Sequence, residues 1–210
     1  MKRYFSFFIL LITMQVVSAQ IPVLETGGKK MPDEWVDKDT GHKIIKLAHR
    51  DGINMSFYFN NNPFVGDEML FCGSGGSLGR KAQMFQVNLN TLKVEQLTNE
   101  KYSVHSEIVC AKTSKFFYQV YDSVYSFDIK DRKSKLIYVF HTGQRGNIVT
   151  VNSDGTLLAG VFDSPADGLI FRKYPEKHDF FNRVFEAKLP HTLFTINVNT
   201  GELTSIYTEN

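Results

Sequence analysis

The chain has 210 residues, of which 42% are hydrophobic, 13% aromatic and 22% charged. That composition excludes a disordered chain, which needs fewer apolar residues and a larger net charge. Lys2 and Arg3, in a leading segment without acids, account for the formal charge of +2, so the remainder is neutral and has no electrostatic basis for binding nucleic acid or an anionic membrane.

Met1-Lys2-Arg3 precedes an apolar run from Tyr4 to Val17, which ends in Val17-Ser18-Ala19. A basic start, a short apolar stretch and small residues at the cleavage position predict a signal peptide over residues 1–19. The run is shorter than the roughly 20 apolar residues that cross a bilayer. No later stretch is longer, so the mature chain is expected to be exported, periplasmic or secreted, without a membrane span. Residues 20–32 read as a linker and 33–210 as the folded region. Cys72 and Cys110 are too few for a disulfide scaffold, and one bridge or two buried thiols remain equally open.

Four stretches then read alike: Trp35–Ile45, Phe85–Val94, Tyr125–Ser134 and Phe194–Leu203. Three of them share aromatic-x-apolar-(Asn/Asp)-apolar, then a polar turn and a second alternating run, which is the signature of a β-hairpin. Apolar strands at Glu68–Cys72, Lys115–Val120 and Thr156–Val161 precede the last three hairpins. A four-stranded unit recurring at roughly 40 residues predicts an all-β fold, a β-propeller of about three to four blades. The interval from Tyr125 to Phe194 is 69 residues, which places an inserted loop around 165–190, with a helix over Asp179–Ala187. A closed ring needs about four to eight blades, so the chain is expected to be the front part of a larger propeller; a compact four-bladed ring and a β-sandwich are the alternatives.

Gly75-x-Ser77-x-Gly79 matches a hydrolase nucleophile elbow, but that elbow requires a following helix and here a strand pattern follows, so a loop is expected. The six histidines, His42, His49, His105, His141, His178 and His191, show no linear metal spacing. Asn54–Phe64 alternates amides with aromatics, a pattern suited to hydroxyl hydrogen bonding and sugar stacking on an innermost strand, with a buried strand and an Asn-rich turn as the plainer reading. Arg50 offers a bidentate partner for a carboxylate. Arg145, Arg172, Arg183 and Lys188 lie on late loops, where a solvated surface is the default reading and an acidic substrate the alternative.

Glu34–His42, followed by Ser56–Phe64, resembles the start of the oligogalacturonate lyase family. Gly155–Gly160, Arg183–Pro190 and Phe194–Gly201 are similar to its middle blades, and the likeness runs from about residue 33 to the end. The resemblance implies a seven-bladed propeller. It also implies cleavage of short pectin-derived oligogalacturonides by β-elimination, giving 4,5-unsaturated uronates. A divalent cation, manganese in type, held by His and Gln side chains, is implied together with a His base. Both are expected beyond Asn210, with no metal ligand inside this chain, so that the 210-residue stretch alone is expected to be inactive. The matching segments mark Arg50, Asn54, Ser56, Tyr58, Asn61 and Asn62 as cleft-facing, with Arg183 and His191 as further substrate contacts, and Arg145 of the late basic loops is counted with them. His191 stands near where the family places an Arg, a departure that bears on carboxylate recognition. The expected partner is an acidic oligosaccharide. The alternative is a non-catalytic periplasmic propeller that binds a glycan or a protein.

Overall fold

The structure, a computed structural model, describes residues 32–209. The expected signal peptide and all but the last residue of the expected linker lie outside the described residues. The chain divides into two compact units, one ending at Lys46 and one beginning at Leu47.

In the first unit, β1 (Glu34–Val36) pairs antiparallel with β2 (Lys43–Ile45). The Asp37 carboxylate accepts from the backbone N–H and the hydroxyl of Thr40, and Gly41 takes a positive φ of 70° to close the turn.

The second unit is built from three antiparallel sheets. The first orders β3 (Ile53–Met55), β5 (Glu68–Ser74), β6 (Gln83–Asn88) and β7 (Val94–Gln96), with β4 (Phe64–Val65) also on β5. The second contains β8 (His105–Cys110), β9 (Lys115–Val120), β10 (Ser123–Asp128) and β11 (Lys133–Val139). The third contains β12 (Gly146–Val151), β13 (Leu157–Phe162), β14 (His191–Asn197) and β15 (Leu203–Glu209). Two helices, α1 (Asp167–Lys173) and α2 (Lys177–Ala187), stand between β13 and β14. Each sheet runs from first strand to last in chain order, the meander of a propeller blade. The expected all-β propeller is therefore what the chain builds, and three sheets with two cores between them are not a sandwich.

The same turn recurs in every blade. Asn88, Asp128 and Asn197 each accept, through Oδ1, the backbone N–H groups two and three residues on. The fourth residue on has positive φ: Leu92 at 57°, Arg132 at 55° and Gly201 at 71°. Only the last is the residue type that the conformation favours. This shared turn is the physical content of the repeated hairpin.

The cores lie between blades. Leu70, Cys72 and Met84 of the first blade pack with Phe116, Tyr118 and Phe127 of the second. Phe117 and Val124 of the second pack with Ile148, Leu158, Phe194 and Ile196 of the third. Strand β9 therefore buries both of its faces, which is why Lys115–Val120 reads as a continuous apolar run. Cys72 and Cys110 are free and buried, and burial pushes the Cys72 thiol up to about 11. Among the described residues, no helix is long and apolar enough to cross a membrane.

Candidate functional site

In a four-stranded meander the second-to-third connection and the crossover to the next blade emerge at the same end of the sheet. One face of the unit therefore collects residues 75–82, Tyr121-Asp122 and 163–190, together with crossovers 97–104 and 140–145. Loops gathered at one end of a rigid scaffold are where binding groups accumulate. A cleft of about 770 Å³ opens there, lined by His105, Tyr121, Asp122, Arg145, Asn147 and Asp163, among others. A neighbouring cleft of about 370 Å³ shares His105 and Tyr121 and adds Arg80 and Lys81. Cationic side chains thus stand beside a cleft of the size that takes a small ligand.

His105 opens β8, and burial lowers its pKa against the opposing pull of a hydrogen bond that the imidazole donates to the Tyr121 backbone and of the Glu107 charge. A histidine held neutral in the fold is protonated more readily in the unfolded chain, so native stability should fall as pH drops through about 6.5, the unfolded value. His105→Gln should flatten that dependence in urea titrations between about pH 7 and 5, and an unchanged profile would refute the assignment to His105.

The deepest convergence of chemical groups lies at the root of the helical segment. Asp163 follows β13, Asp167 opens α1 and His191 opens β14. One donor atom from each lies within 4.8 Å of the others, and all three residues are partly buried. The His191 imidazole Nε2 and Asp167 Oδ2 are 2.9 Å apart. Asp167 Oδ1 is buried without a hydrogen-bond partner. Burial raises the pKa of Asp163, and the Asp167 charge adds to that rise; the Asn147 amide, which donates to Asp163 Oδ2 at 2.9 Å, and the charges of His191 and Arg145 oppose it. Two carboxylates and an imidazole in this arrangement are donors for a divalent cation.

The residues singled out from sequence fall into distinct environments. Arg145 and His191 stand on the loop face, Arg145 lining the cleft and His191 the Asp167 contact. Arg50 donates to the Ile53 and Ser74 carbonyls and to Asn54 Oδ1, and its guanidinium lies 4.4 Å over the Phe85 ring. A Cβ on Gly73 would stand 2.7 Å from that guanidinium, so the glycine makes room for it. Asn61 donates to the Glu107 carbonyl at 2.7 Å and accepts from the Val109 N–H at 3.0 Å, tying its loop to β8. Asn62 caps its own turn through the Phe64 N–H. Ser56 and Tyr58 are exposed, and Tyr58 with Asn61 lines a smaller pocket beside Ile108 and Asn147. Arg183 pairs with Glu186 and lies over Tyr174. Ser77 sits on a 3-10 turn between two strands, as its context predicts.

Asp163 and Asp167 were not singled out by sequence, and no linear signal marks them. Asp167 and His191 are 24 residues apart, and only the return of the chain to β14 brings them together.

No sequence model of a known family matches the chain, and no curated protein sequence matches it. Solved structures do. The oligogalacturonate lyase of Vibrio parahaemolyticus superposes with a TM-score of 0.68 at 23% identity, over 84% of this chain and 46% of that one. An oligogalacturonate lyase in complex with manganese superposes at 0.70, with 23% identity and the same coverage. The chain spans about half the length of the lyases it matches. The resemblance read from the residues is thus matched by structure: the chain has the propeller fold of the solved oligogalacturonate lyases.

Proposed function

We propose that the chain belongs to an exported lyase that cleaves short, acidic, pectin-derived uronides by β-elimination. The observation that carries this reading is the structural likeness to two solved oligogalacturonate lyases over 84% of the chain. The loop-face cleft supports it, because Arg145, Arg80 and Lys81 supply positive charge beside volume for a sugar acid. Elimination removes a weakly acidic proton next to a uronate carboxylate, so neutralising that carboxylate lowers the barrier. The guanidinium of Arg145 is the group of this chain suited to hold it by a bidentate contact. A divalent cation, when bound, supplies further positive charge to the developing enediolate.

The His and Gln donors that the resemblance implies are not expected within this chain. Among the described residues the grouped His, Cys, Asp or Glu donors are two aspartates and one histidine. No catalytic step is therefore assigned to a cation at that group. A second reading is a propeller that binds acidic glycans without cleaving them, because the cationic cleft would serve binding alone as well as catalysis.

Incubation of the full-length protein with short galacturonate oligomers separates the two. Ultraviolet absorbance of a 4,5-unsaturated product, lost on chelation and restored by Mn²⁺, is the expected result. Saturable oligomer binding without that absorbance would replace the lyase with the binding module, and neither signal would overturn both. Arg145→Ala should lower kcat/KM about tenfold to a hundredfold, the worth of one charge-assisted contact.

A further inference from the structure

We propose that Asp163, Asp167 and His191 form a binding site for a divalent transition cation of the Mn²⁺ or Zn²⁺ class, separate from the His and Gln ligands implied by the family resemblance. Two observations and two points of coordination chemistry converge on it. Donor atoms of three different elements of the chain come within 4.8 Å of one another. Carboxylate and imidazole donors bind such ions at about 2.0–2.2 Å, so shifts of about half an ångström would place all three around one ion. Asp167 Oδ1 is buried and accepts no hydrogen bond, a cost that a cation would remove. One imidazole among hard oxygens selects against Ca²⁺ and Mg²⁺, which gain little from nitrogen.

The position gives the site a structural consequence. The three residues sit where β13 leaves its sheet, where α1 begins and where β14 returns. An ion there would hold both ends of the helical segment to the blade. Asp163 lines the 770 Å³ cleft on one side, and His191 lines an apolar pocket of about 330 Å³ against α2 on the other. Three protein ligands leave coordination positions open to a further ligand from the loop face.

The site is tested without substrate, so its fate is independent of the lyase reading. The full chain is titrated with MnCl₂ while free Mn²⁺ is followed by electron paramagnetic resonance. One equivalent should be bound, and Asp167→Asn and His191→Gln should each weaken binding by at least about tenfold. Failure of the wild-type chain to take up Mn²⁺ at concentrations up to about 1 mM would overturn the proposal, and so would unchanged binding in both variants. The wild-type titration stands even if a variant does not fold. Equal competition by Ca²⁺ would overturn the assignment to the transition-metal class. Mn²⁺ uptake by this chain, with no elimination of oligogalacturonides by the full-length protein, would leave this site standing and sink the lyase reading.

Discussion

Replacing Gln119 with leucine should lower the unfolding free energy by about 2–6 kcal/mol, since it strands two buried backbone groups at about 1–3 kcal/mol each. Gln119 is fully buried in β9, yet both ends of its amide act on the next blade. Its Nε2 donates to the Gly146 carbonyl at 2.9 Å, and its Oε1 accepts the Ile148 N–H at 2.7 Å. Both partners belong to β12, so one side chain fixes the innermost strand of the third blade against the second. Leucine keeps the volume but leaves an N–H and a C=O in an apolar surround. Urea titration gives the energy, and amide hydrogen exchange gives the location, because the Ile148 N–H should lose protection first. A loss under about 1 kcal/mol would mean that water replaces the amide. Gln83 of β6 has a related role on the crossover to the second blade, donating to the Glu100 and Tyr102 carbonyls and accepting from the Glu100 N–H.

Phe194→Ala should cost about 3–5 kcal/mol, among the largest penalties for a single core truncation. Phe194 is 1% exposed and belongs to the core between the second and third blades. Its ring centroid lies 5.5 Å from that of Phe140 and 4.4 Å from that of Phe162, so the truncation opens a cavity ringed by aromatics that cannot collapse to fill it. The place for the ring exists because residue 160 is glycine. A Cβ there would stand 2.4 Å from the Phe194 ring and 2.3 Å from the Asn147 carbonyl. Leu193, one position earlier, points to the other face of the sheet and is 48% exposed. Leu193→Ala should cost less than about 1 kcal/mol. Equal losses from the two variants in thermal melts would refute this assignment of the buried face.

The repeat was legible because it is local. An Asn or Asp that caps a turn, a positive-φ residue four places on and alternating strands on either side are short-range features, and they recur at Asp37, Asn88, Asp128 and Asn197. The helix over Asp179–Ala187 was also legible and is part of α2, whereas the seven-residue α1 was missed because it is too short to set a period. The stretch Asn54–Phe64 misled in part. Only its two ends lie in strands, Ile53–Met55 and Phe64–Val65, and the aromatics that alternate with amides between them include the exposed Tyr58 and Phe59. A donor-rich side chain reads the same whether it faces a ligand or the backbone. Arg50 and Asn61 hold their own fold together, and only their partners' positions reveal it.

The candidate site divides along the same line. Arg145 and His191 were visible as charged or titratable residues on loops, and residue type is a property of sequence alone. Asp163 and Asp167 are charged too, but nothing in sequence sets them apart from the other acids, because Asp167 meets His191 only after the chain leaves β13, builds two helices and re-enters the sheet as β14. Sequence by itself therefore determined the blades, their turns and the place of the interruption, since each depends on hydrogen bonds and periodicities spanning a few residues. Tertiary structure alone decided which loops share a face, which polar side chains bridge blades and which carboxylates converge on one imidazole, since those depend on distances closed between residues far apart in the chain.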